Sequence, residues 1–216
     1  MVYGALLNHA PALAALGDAV HAAPYKAPPQ APVLQLKPRN TLAGDGDAVV
    51  VPAGVDALEV GASLGIVIAR TASRVPVADA LAHVAGYLVV NDICVPLDGP
   101  QAHYRPAVRQ RARDGFCPLG PRVVAAADVP APDALAVQVE VDGVVVQRSD
   151  TGERIRGVAR LVADVSEFMT LQPGDVLLLG PAAGAPRVRA GQSVVVTIEA
   201  LGHLRNRFVA AAEDCA

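Results

Sequence analysis

Apolar and polar positions alternate with a period of two along residues 58–70, and the rest of the chain is read around that stretch. Leu64, Ile66 and Ile68 fall on one face of the strand that this pattern predicts, and Ser63, Gly65 and Val67 on the other. Its polar end carries Glu59, Gly61 and Ser63 at spacings i, i+2 and i+4, so all three point the same way from the pleat. Two carboxylates at such a spacing could hold one hard divalent cation. Here the two inner positions are Gly61 and Ser63, which bring no charge.

The same patterns place the other elements. Residues 3–9 and 33–38 read as strands, with Pro38 ending the second. Pro11 stands in the first turn of a helix expected over 11–21, and four prolines between 24 and 32 break regular structure. A turn-rich stretch over 39–47 leads to a short strand at 48–52. A helix is expected over 77–85, where Val77, Ala80, Leu81 and Val84 recur at helical spacing. Residues 86–93 read as a strand ending in polar residues, 96–107 as loop, and 118–124 as the entry to another strand. Asp142-Gly143 between two Val-rich runs predicts a tight hairpin over 134–148. Asp150 or Thr151 caps a helix expected over 153–168, with Glu153 in its first turn. Residues 173–175 form a turn, 176–179 a strand, and 194–198 the last strand. No internal repeat or linker divides the chain, so one domain over 1–216 is expected, mostly β with a few helices (α+β).

Composition narrows the class. The chain has 216 residues, 52% of them apolar but only 3% aromatic and none of them Trp. The core must therefore come from Val, Ala and Leu, and Val-rich runs favour strands. A net charge of -3 with scattered basic residues gives no nucleic-acid footprint. No run of about 18 apolar residues predicts a membrane span, and no basic, then apolar leader precedes residue 24. Cys94, Cys117 and Cys215 show no CxxC spacing and fit a reducing cytoplasm.

Several motifs then occur in a telling order. They are Lys37-Pro38-Arg39-Asn40-Thr41, Ile66-Val67-Ile68, Ala85-Gly86-Tyr87 with Asn91-Asp92, and Arg113-Asp114-Gly115-Phe116-Cys117-Pro118-Leu119-Gly120-Pro121. Asp142-Gly143, Ser166-Glu167-Phe168-Met169-Thr170-Leu171-Gln172-Pro173-Gly174-Asp175 and Leu201-Gly202-His203-Leu204-Arg205-Asn206 follow. Together, over about residues 25–207, the chain resembles the fumarylacetoacetate hydrolase family, with residues 1–24 as an extension. Leu7-Asn8-His9, Pro24-Tyr25-Lys26-Ala27-Pro28-Pro29 and Tyr104-Arg105-Pro106-Ala107 resemble one branch of it, the isomerase/decarboxylase units of 4-hydroxyphenylacetate breakdown. Those units are fused in pairs in some bacteria and separate in others.

The resemblance implies a mixed β-sandwich roll, pairwise assembly, and Mg2+ (or Mn2+ or Ca2+) held by a Glu-x-Glu pair and a downstream Asp. It implies cleavage, decarboxylation or keto–enol isomerisation of small 2-oxo acids, in which a chelated cation stabilises an enolate. Asp92 matches the metal Asp; the Glu-x-Glu pair falls on Gly61 and Ser63. Glu59 shares their face, one pleat repeat of about 6.6 Å away, and is either a substitute ligand or a solvated strand-end charge. Lys37 matches a lysine facing the substrate carboxylate. Arg111 stands where active members carry lysine; it is permanently charged, so it binds carboxylate but cannot shuttle a proton. Tyr104, Arg105 and Arg113 complete the substrate-binding set, and Arg109, Arg111 and Arg113 would form one basic stripe as strand or loop. Pro181 stands where active members usually place Thr. His9 lies near the cleft or serves structure.

Three functions follow from the resemblance. The first is a subunit of the decarboxylase/isomerase acting on 5-oxopent-3-ene-1,2,5-tricarboxylate and 2-hydroxyhepta-2,4-diene-1,7-dioate. The second is a metal-deficient structural or regulatory partner of a catalytic sister subunit, in a homo- or heterodimer or larger assembly. The third is a monofunctional hydrolase. The expected ligand is a small 2-oxo di- or tricarboxylate, with neither nucleic acid nor membrane as a partner.

Overall fold

Two mixed β-sheets face each other across an apolar core built from alternate residues of their strands. The structure is a computed structural model that describes residues 1–23, 26–96 and 108–212. The strands are β1 (Val2–Leu6), β2 (Val33–Lys37), β3 (Leu42–Ala43), β4 (Ala48–Val51), β5 (Leu58–Glu59), β6 (Ala62–Ile68), β7 (Val84–Asn91) and β8 (Cys117–Pro118). They continue as β9 (Val124–Ala125), β10 (Ala136–Val141), β11 (Val144–Asp150), β12 (Val176–Leu178), β13 (Arg187–Val188), β14 (Ser193–Ile198) and β15 (Gly202–Ala210). The α-helices are α1 (Ala10–Ala14), α2 (Val108–Arg111) and α3 (Val158–Phe168).

The first sheet runs β2-β1-β12-β6-β7-β9 and the second β11-β10-β14-β15-β4. β1 with β12 and β4 with β15 pair in parallel, which makes both sheets mixed. Leu64, Ile66, Tyr87 and Val89 of the first sheet meet Val137, Val139, Val196 and Leu204 of the second, and α3 adds Leu161, Val162 and Val165. The first sheet is apolar on its other face too, where Val2, Leu88, Val90, Cys117, Val176 and Leu178 cluster. Strands covered on both faces read as near-continuous apolar runs, as residues 86–90 do. The architecture is mostly β with few helices, as expected.

Several elements differ from the sequence pattern. Residues 77–83 form a 3-10 helix rather than an α-helix. The helix expected over 11–21 breaks into α1 and a 3-10 turn starting at Gly17, whose φ is +48°. α3 starts at Val158, not at 153. Asp150 uses its Oδ1 on the amides of Gly152 and Glu153, closing a local turn instead of a cap. The amide of Val158 is capped at 2.8 Å by Asp133, a residue 25 positions away that local pattern cannot reveal. β15, missed between polar residues, is the longest strand described. The Asp142-Gly143 hairpin forms as expected, with φ of +50° and +80° at the turn.

Candidate functional site

The alternation of β2 is inverted. Gln35 and Lys37 are buried and Leu36 between them is 61% exposed. An inward-facing lysine needs a counter-charge, and Asp92, just beyond the end of β7, supplies it. Lys37 Nζ sits 2.5 Å from Asp92 Oδ1, with both side chains at 0% exposure. Lys37 also donates to the carbonyls of Arg111 and Phe116, each at 3.4 Å. Gln35 Nε2 donates to Asp92 Oδ2 at 2.6 Å, and its Oε1 lies 3.5 Å from Arg111 Nη1. These partners fix the amide orientation, since only the NH2 can donate to the carboxylate. Gly4, opposite Gln35 on β1, makes the room: a Cβ there would lie 2.8 Å from Gln35 Nε2.

Gly61 and Ser63 line the same face, beside Asp92. The carbonyl of Gly61 accepts the Asp92 amide at 2.8 Å. A Cβ on Gly61 would lie 2.6 Å from the Asp92 carbonyl oxygen and 3.1 Å from Pro181 Cβ. The Ser63 hydroxyl accepts the Gly180 amide at 3.0 Å and faces the Leu64 carbonyl at 3.3 Å. Glu59 turns away to Cys94 Sγ at 3.5 Å and Arg187 Nη2 at 3.6 Å. The residues present therefore do not fit the divalent ion that the resemblance implies. One carboxylate remains of three, an ammonium stands against it, and the Ser63 hydroxyl is engaged. Mg2+ in particular takes carboxylate and water oxygens in near-octahedral geometry. Among the described residues no group of three or more His, Cys, Asp or Glu side chains is placed to hold a metal ion.

The arginines do not form the expected stripe. Residues 108–111 are helical, so positions two apart point to different sides, and Arg109 pairs with Arg113 instead, whose Nε donates to the Arg109 carbonyl at 2.9 Å. Arg111 turns inward, its Nη1 3.8 Å from Asp92 Oδ2, with its side chain 23% exposed. It is the cation of the cluster that an entering molecule can reach; Lys37 is covered. Lys37 and Arg111 against Asp92 leave one positive charge uncompensated, a setting that favours one carboxylate. Tyr104 and Arg105 lie outside the described residues.

His9 and Asn8 fasten the wall of this site. His9 Nδ1 accepts the amides of Ala12 and Ala183, both at 3.2 Å, so its Nε2 carries the proton and faces Glu153 at 3.2 Å. Asn8 binds the Leu179 carbonyl and both backbone groups of Arg156. Cys94 and Cys117 are free and buried, and burial pushes each thiol up to about 12. Both are protonated at neutral pH. Gln35 escaped the sequence reading, although its spacing of two from Lys37 puts both on one face.

Comparison with known proteins agrees with this architecture. Over 208 residues the chain is 36% identical to the 4-hydroxyphenylacetate degradation bifunctional isomerase/decarboxylase of Escherichia coli, covering 96% of this chain and 47% of that protein. The chain thus spans about half the length of the curated relatives it matches. The crystal structure of 5-carboxymethyl-2-hydroxymuconate delta-isomerase from Mycobacterium smegmatis matches with a TM-score of 0.82 at 32% identity, covering 98% of this chain and 79% of that one. Fumarylpyruvate hydrolase from Pseudomonas aeruginosa, solved with Mn2+ and pyruvate, matches with a TM-score of 0.83 at 27% identity, over 97% and 89% of the two chains. Relatives are thus isomerases, decarboxylases and hydrolases, and at least one binds a divalent metal. Residues 1–209 match the model of the fumarylacetoacetate (FAA) hydrolase C-terminal family, and the chain belongs to that family.

Proposed function

We propose that this chain is a subunit of a 4-hydroxyphenylacetate-type decarboxylase/isomerase, and that it works beside a sister family unit that carries the metal. In this reading the ligands are small 2-oxo di- or tricarboxylates in the cytoplasm, 5-oxopent-3-ene-1,2,5-tricarboxylate and 2-hydroxyhepta-2,4-diene-1,7-dioate among them. The observation that carries it is the Lys37 ammonium seated 2.5 Å from Asp92 Oδ1, where a cation-binding carboxylate would have to be free. Support for the paired arrangement comes from the E. coli relative, of which this chain spans 47%.

The chain's own residues can still recognise a substrate. Arg111 offers a planar fork of donors to a carboxylate. Lys37 and Gln35 hold the Asp92 charge, so the incoming carboxylate meets a net positive site. Its low-dielectric surroundings strengthen that attraction. A self-sufficient isomerase or a hydrolase of this family would need the metal ligands that Gly61 and Ser63 do not supply.

The test is turnover of both compounds by the purified chain, with and without Mn2+. The chain alone is expected to bind them without converting them. Conversion that rises with Mn2+ and is lost in Asp92→Asn would establish the chain as an enzyme in its own right.

A further inference from the structure

Arg111 does not close on the carboxylate beside it. Its Nη1 lies 3.8 Å from Asp92 Oδ2, beyond the roughly 2.7–2.9 Å of a hydrogen bond between charged groups. An arginine and a carboxylate free to meet favour a fork of two parallel bonds. Here the two are neighbours and the fork is not made.

Gln35 stands between them. Its Nε2 donates to Asp92 Oδ2 at 2.6 Å, and its Oε1 accepts from Arg111 Nη1 at 3.5 Å. The amide takes up the oxygen that Arg111 would reach, and gives the guanidinium a neutral, weaker partner in its place. Lys37 covers the other oxygen at 2.5 Å. Among the described residues, Gln35 is the one side chain that hydrogen-bonds the Arg111 guanidinium.

The strand pairing fixes the amide in this place. Gln35 lies opposite Gly4 across β1 and β2. A Cβ at Gly4 would lie 2.8 Å from Gln35 Nε2, 3.0 Å from its Cγ and 3.3 Å from its Cδ. The side chain therefore lies flat over the glycine. Gly4 is not among the glycines of positive φ, so backbone shape does not require it there; the space for Gln35 does.

We infer that Gln35 is a positioning residue, which keeps Arg111 off Asp92 and so leaves the guanidinium open to a substrate carboxylate. This rests on the carboxylate reading of Arg111 proposed above and adds the device that keeps that cation available. Without the Gln35 amide, Asp92 Oδ2 is free and Arg111 closes on it.

Phenylglyoxal labelling of Arg111, followed by peptide mapping, tests this on wild type, Gln35→Leu and Gly4→Ala. Gly4→Ala displaces the amide and changes no charge. Labelling should slow by about tenfold or more in both variants, the equilibrium cost of first opening a hydrogen bond between charged groups. A merely structural role predicts the opposite sign, because a loosened site exposes Arg111 and speeds its labelling. Calorimetric titration of pyruvate should show binding to wild type and a loss of about tenfold in both variants. Unchanged or faster labelling in either variant, or pyruvate affinity equal to wild type, overturns the role of Gln35 and leaves the Arg111 carboxylate site standing. Wild type that binds no pyruvate overturns that site and this inference with it.

Discussion

Lys37 and Asp92 meet with 2.5 Å between Nζ and Oδ1, and neither side chain is exposed. The lysine occupies the flank of the carboxylate that a metal would need. Breaking a buried pair from one side leaves an uncompensated charge, which costs about 3–5 kcal/mol, whereas replacing both partners with apolar groups is often nearly neutral. Asp92→Asn should therefore unfold at clearly lower urea than wild type, and Lys37→Met/Asp92→Leu should recover most of that loss. Strictly additive losses in the double variant would mean that the two side chains do not act as a pair.

Restoring the missing carboxylates should not restore a metal site. Any side chain at 61 brings a Cβ to 2.6 Å from the Asp92 carbonyl oxygen and 3.1 Å from Pro181. Gly61→Glu/Ser63→Glu is expected to lose stability and gain no Mn2+ affinity. A gain to micromolar affinity would show that the strand and Pro181 yield easily.

Arg111 is the reachable cation, so its removal should be read in binding rather than folding. Arg111→Ala is expected to lower affinity for pyruvate by about 1.5–3 kcal/mol, the value of a hydrogen bond to a charged group. Its urea midpoint should move little. Unchanged pyruvate affinity in the variant would place the carboxylate elsewhere.

Burial holds the thiols of Cys94 and Cys117 at about 12, so neither is a thiolate at pH 8. Peptide mapping after iodoacetamide should find both unmodified in the native protein and modified in urea. Rapid native labelling of Cys94 would place it in an open, activated setting.

Asp142 accepts the Ser193 amide at 2.8 Å and the Gln192 amide group at 2.9 Å, and these bonds, the backbone one first, hold its carboxyl below the usual value. A pKa lower in the folded than in the unfolded chain adds stability above the unfolded value of about 3.9 and loses it as pH falls through the folded one. Asn tolerates the positive φ of this turn, so Asp142→Asn isolates the charge. It should melt below wild type at pH 7, with the difference shrinking as pH falls through the folded-state value. A difference that persists in acid would assign the effect to turn geometry.

What could be read from the sequence was whatever repeats locally or matches a motif. The Asp142-Gly143 hairpin and the alternation of β6 show themselves within ten residues. The motifs at 37–41 and 113–121 meet in space, where Asn40 donates to the Ala112 carbonyl and to Asp114, and the Gly115 amide bonds back to the Asn40 carbonyl. Contacts between distant positions stayed hidden. Asp133 caps α3 from another segment, and a local pattern offers Asp150 instead. The absence of carboxylates at 61 and 63 was plain, but not that Lys37 closes the third position, because strand pattern puts lysine outward. The arginine stripe failed because residues 108–111 take a helical turn, and period, not composition, decides which side chains share a face.

The most direct measurement is calorimetric titration of Mn2+ into the purified chain. A site already held by Lys37 predicts no saturable binding below millimolar concentration. Stoichiometric binding in the micromolar range would contradict it, and would mean that Asp92 leaves Lys37 and gathers other ligands around the ion.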